Sequence, residues 1–158
     1  MYRTISLAGV VILAMGELTF AQMTPHNSMG SDMSMPTSDD RQAVPVSEAT
    51  RNFVLAEMRG MLASIQGITE AIARRDWQSA IDAAGKTGLQ AFEAMPKPIM
   101  MELPQDFRAM GRETHMAFDE VAKAASATPD ASAVSVKLSD ALQFCVACHQ
   151  TYRFDTRR

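Results

Sequence analysis

The sequence predicts an all-α protein built as an antiparallel four-helix bundle, and three observations lead there. From Ser47 onward apolar residues recur at steps of three and four, the period of an amphipathic helix. The same stretch is rich in Ala, Met, Leu, Glu and Gln, with neither β-branched alternation nor an Asn-Gly hairpin turn, so no strand is expected there. The breaks between striped segments are short, which sets successive helices antiparallel.

Taken in order, the chain begins with an address. Arg3 precedes an apolar run from Ile5 to Met15, too short for the roughly 20 residues that span a bilayer. Thr19-Phe20-Ala21 places small residues before a cut after Ala21. Residues 1–21 therefore read as a secretory signal, with an uncleaved N-terminal anchor as the alternative. Residues 22–45 are Ser-, Pro- and Asp-rich without apolar periodicity and read as a flexible tether. Within it Met23, His26, Met29, Met33 and Met35 offer thioethers and an imidazole that could catch Cu(I), or simply fill a linker.

Residues 46–158 form the expected domain. Ser47 caps a first helix, to about Ala73, whose inner stripe is Met58, Met61, Ile65, Ile68 and Ile72, with steps of 3, 4, 3 and 4. Asp76 caps a shorter second helix carrying Trp77, Ala80, Ile81 and Ala84, with Gly85 and Gly88 near its end. Pro96 and Pro98 make residues 94–103 a loop, and Pro104 suits the first position of a third helix. That helix is striped by Phe107, Met110, Thr114, Ala117, Phe118 and Val121. His115 falls at the border of this stripe, with haem ligation as the minor alternative, and Met116 opposite it, where it could serve a dimer contact. Asp130 caps a fourth helix with Val134, Leu138, Ala141, Cys145, Cys148 and Tyr152 in its seam.

Composition narrows the function. The 158 residues fit one domain, and 47% hydrophobic content supports a core. Eighteen acids against fifteen bases, with pI ≈ 5.6, exclude nucleic-acid binding by counterion release. An acidic surface suits a transient partner protein bearing a basic patch. No span beyond the signal is expected, so no membrane contact follows its cleavage.

Cys145-Val146-Ala147-Cys148-His149 is C-x-x-C-H, the attachment sequence of c-type haem. On a helix, positions i, i+3 and i+4 share one face, so two thiols can meet two vinyl groups on one porphyrin edge while His149 turns towards the iron. A thioredoxin-like pair would need a preceding strand, and a zinc site a second ligand pair. A disulfide between helical residues three apart is geometrically poor.

Placed in the last helix, nine residues from the end, CVACH at 145–149 with Gln150-Thr151-Tyr152-Arg153 and the first-helix stretch RNFVLAEMRGML at 51–62 resembles the class II cytochromes c, the cytochrome c′ family and its low-spin relatives. The resemblance implies one covalent haem c on the last helix of a four-helix bundle. Tyr152 and Arg153 match that family's aromatic and Arg after the His, and Arg153 lies one helical turn beyond His149, where it could meet a haem propionate. A first-helix residue faces the iron in this family: Met gives a six-coordinate electron carrier, an apolar group a five-coordinate iron open to NO and CO. Alignment puts Met58 there, with Met61 the alternative. The resemblance further implies a periplasmic mono-haem electron-transfer protein, not an enzyme, with transient redox partners and an open choice between monomer and homodimer. The rivals are a gas-binding cytochrome c′ and a copper-handling protein working through the tether.

Overall fold

Three side chains expected to start helices do so in the computed structural model, which describes residues 39–156. Ser47 Oγ accepts from the Thr50 amide (3.2 Å) and opens α1, Glu48–Arg74. Asp76 accepts from the Ser79 amide (3.1 Å) ahead of α2, Trp77–Gly85. The short helices α3, Leu89–Glu93, and α4, Lys97–Glu102, lead to α5, Gln105–Ala127. Asp130 accepts from the Ala133 amide (3.0 Å) and opens α6, Ala131–Thr151. The expected signal peptide and the Met and His residues of the expected copper tether lie outside the described residues.

The all-α expectation holds for most of the chain, with four corrections. Lys97–Glu102 is helix rather than loop: Pro96 sits at its N-cap and Pro98 in its first turn, where the missing N–H has no helical partner to lose. Glu102 then accepts from the Ser47 amide (2.8 Å) and hydroxyl (3.1 Å), tying α4 to the start of α1. Pro104 is the N-cap of α5 and not its first residue.

The third correction is a pair of strands. Gln42–Val46 (β1) pairs in parallel with Tyr152–Thr156 (β2), Val44 opposite Phe154. A parallel pair needs a long crossover, and here the helices between the two strands supply it. Val44 and Val46 are fully buried, worth about 1.5–3 kcal/mol each, which outweighs the roughly 1 kcal/mol ladder bond that Pro45 cannot make. The compact unit therefore begins at Asp39, so the last residues assigned to the tether belong to the domain. The fourth follows from it: α6 stops at Thr151, and Tyr152 and Arg153 leave the helix for the strand.

Two apolar clusters hold these elements. Ile68 and Ala71 of α1, Ala80 and Ala84 of α2, Phe118 and Val121 of α5, and Val134 and Leu138 of α6 form the larger, against which Trp77 packs. Val44, Val46, Val54, Leu103, Phe107 and Tyr152 form the smaller, at the end where the strands lie. Phe107 is central there, edge-on to Tyr152 at 5.3 Å and tilted against Phe154 at 5.7 Å. The sequence places α6 among apolar helices: its length and mean hydropathy of 1.2 would suffice to cross a membrane, and only 17% of that stretch is buried.

Two backbone positions carry testable consequences. Arg75 ends α1 in the left-handed region (φ 56°), its N–H reaching the Ala71 and Ile72 carbonyls. Glycine avoids the Cβ penalty there, so Arg75→Gly should stabilise by about 0.5–1 kcal/mol, seen as a higher urea midpoint. Gly88 precedes α3 and lies against Asp119, whose carboxylate accepts from the Leu89 amide (3.0 Å). A Cβ at Gly88 would collide with that carboxylate. Gly88→Ala should cost about 1–2 kcal/mol in the same measurement, through the lost helix-start bond.

Candidate functional site

The end of α6 directs Cys145, Cys148 and His149 onto one face, and that face opens on an apolar cavity. Across it stand Val54, Met58 and Met61 of α1 and Phe107, Thr114 and His115 of α5. Phe92 and Met95 close one side. The lining is mostly apolar, with sulfur and imidazole groups and, among its charged side chains, Glu57 and Arg108. The sequence-predicted set of Cys145, Cys148, His149, Met58 and Met61 is thus brought together in one space.

Both cysteines are free and half-buried, and burial pushes both thiols above their ordinary pKa; for Cys148 the neighbouring Cys145 adds to the effect. A redox-active C-x-x-C pair has its nucleophilic thiol lowered instead, by a helix N-terminus or a cation. Here the pair sits at a helix C-terminus, where the carbonyl ends repel a thiolate. Cys145 Sγ approaches the Ala141 carbonyl at 3.9 Å as a weak donor, consistent with a retained proton.

His149 occupies the last turn of α6 and is exposed; its carbonyl accepts from Arg41 Nη1 (3.1 Å). A second cleft lies beside it. Its walls carry Arg41, Arg51, Tyr152 and Arg153, with Met58 and His149 shared with the first cavity. Met61 lines only the first of these two spaces, whereas Met58 and His149 line both. Arg153 reaches this cleft from β2, opposite Ala43, rather than from the helical face the sequence implied. Its Nε is buried without a hydrogen-bond partner. Arg41 pairs with Asp39 (2.7 Å), and this guanidinium holds the exposed carboxyl down at about 2.

Two participants escaped the sequence, and a third was placed too far out. Arg41 sits in the segment read as tether, and Arg51 was only one letter of an aligned stretch. His115 was expected at a helix border but is 1% exposed and fully part of the cavity wall, because the α3 segment folds over that flank and sets Phe92 5.4 Å from its ring. Met116, expected on the outer face, is half-buried, with Arg112 Nη1 at 2.9 Å from its sulfur. Nothing local in the sequence signals a segment folding back over a helix flank.

No family model, curated protein or solved structure matches this chain.

Proposed function

We propose that this chain is a c-type cytochrome, with Cys145 and Cys148 binding one haem covalently. More particularly, it is a periplasmic mono-haem electron carrier of the class II kind, in which α1, α2, α5 and α6 act as an up-down-up-down bundle around the cofactor. One observation carries the reading: two thiols and an imidazole in C-x-x-C-H spacing share an apolar cavity with Met58, a thioether on the facing helix.

Bound haem supplies a one-electron iron couple. The residues do the rest. Cys145 and Cys148, as protonated thiols, would hold the group by adding S–H across its vinyl groups, sulfur to one carbon and hydrogen to the other. His149 would offer the iron a nitrogen and Met58 a soft sulfur, with Met61 its alternative. A thioether stabilises the reduced iron and raises the potential. Val54, Leu103 and Phe107 exclude water, which limits reorganisation when charge changes. Arg51 and Arg153 face the cleft where carboxylates of a porphyrin would need cations, and the orphaned Nε of Arg153 supports that role. Partner proteins would exchange electrons at the exposed His149 edge by transient contact.

The test is an absorption spectrum of the purified protein, oxidised and reduced, with and without CO. Sharp low-spin ferrous peaks, a far-red thioether band in the ferric state and slow CO uptake are expected. A broad high-spin ferrous band with rapid CO binding would make the protein a five-coordinate gas binder instead.

A further inference from the structure

His115 is the buried imidazole that the electron-carrier reading leaves unused. Its Nδ1 lies 2.7 Å from the Thr87 carbonyl oxygen, which can only accept, so Nδ1 carries the proton and Nε2 keeps a bare lone pair. Thr87 is itself held in place: its hydroxyl donates to Ser64 Oγ at 2.8 Å in a buried contact. A polar chain from α1 through the turn before α3 thus fixes the tautomer and the ring on α5. Phe92 packs against the ring, leaving little freedom to turn.

Nε2 is buried and has no hydrogen-bond partner. A buried acceptor left unsatisfied is costly, and in most native sites something meets it. Donation of one ring N–H to a backbone carbonyl is also the usual arrangement of a metal-binding histidine, because it orients the ring and enriches the other nitrogen. The ring lies between two spaces, the cavity that holds Cys145, Cys148, His149 and Met58 and a second pocket beside Ser64 and Thr87.

We propose that His115 Nε2 is a reserve axial ligand, taking the sixth position on the iron whenever the Met58 thioether leaves it. The inference rests on the haem reading above. The exchange breaks the bond from iron to Met58 Sδ and makes one from iron to Nε2. No proton moves, since the Nδ1 proton stays with Thr87. The consequence is an iron that remains six-coordinate and closed to gases without its methionine.

The experiment compares holoprotein of wild type, Met58→Ala, and Met58→Ala combined with His115→Asn, by absorption and electron paramagnetic resonance. Asn keeps an amide donor for Thr87 and cannot supply an imidazole. Met58→Ala should lose the thioether band yet stay low-spin, with the resonance of two imidazoles and a lower reduction potential. The double variant should turn high-spin and bind CO. A high-spin Met58→Ala protein, or one in which the thioether band persists through Met61, overturns the role of His115 while leaving the haem reading standing. A wild-type protein without covalent haem overturns both.

Discussion

Replacing both Cys145 and Cys148 by alanine should give a chain lighter than the wild type by one haem beyond the two lost sulfur atoms, and free of haem stain after denaturing electrophoresis. The physical ground is that thioether bonds are the covalent hold on the cofactor in the proposed function. His149 and the apolar cavity remain in the variant, so some haem can still bind, but denaturation must release it. Intact-protein mass spectrometry of both chains, expressed in cells that mature c-type cytochromes, decides the matter. Equal masses, after allowing for the two substitutions, would remove the covalent haem and with it the functional reading. Single replacements should each retain one thioether and hence stain, which distinguishes lost attachment from lost folding.

Phe118→Ala should destabilise the protein by about 3–5 kcal/mol, the largest stability effect expected of any single substitution here. Phe118 is fully buried and heads the large side chains of the main cluster, between Ile68 of α1, Ala80 of α2 and Val134 of α6. Its neighbours are mostly alanines and β-branched residues, which cannot swing inward to fill the void. Domains of this size hold about 5–15 kcal/mol in total, so the loss is a large fraction. Urea unfolding followed by circular dichroism reads it directly. Leu62→Ala is the control: Leu62 is 65% exposed and should move stability by less than about 0.5 kcal/mol. A Phe118→Ala midpoint as small in its shift as that control would show the α1–α2–α5–α6 packing to be wrong.

How much could be read in advance differs by residue. The starts of α1, α2 and α6 were legible because Ser47, Asp76 and Asp130 each cap the helix with a side chain three residues from its partner amide. The seams were legible because helical period alone puts Ile68, Phe118, Val121, Val134 and Leu138 inwards, and all five are buried. The strands were not. A five-residue segment interrupted by Pro45 has no local preference strong enough to announce itself, and its partner Tyr152–Thr156 directly continues a helix. Their pairing is decided by residues 110 positions apart, through burial of Val44 and Val46 against Tyr152.

The site divides along the same line. C-x-x-C-H spacing, and the helix that carries it, belong to contiguous residues, so the chemistry of Cys145, Cys148 and His149 is written in the sequence. Which groups face them is a matter of long-range packing. The fold sets Met58 in the lining of both clefts, moves Arg153 onto a strand, brings in Arg41 from before the helices, and buries His115 with one ring nitrogen unpartnered. Local pattern determines what a segment is and which of its faces is apolar. Only the tertiary structure, by burying one segment against another distant in the chain, decides which lone pairs and charges meet across the space between them.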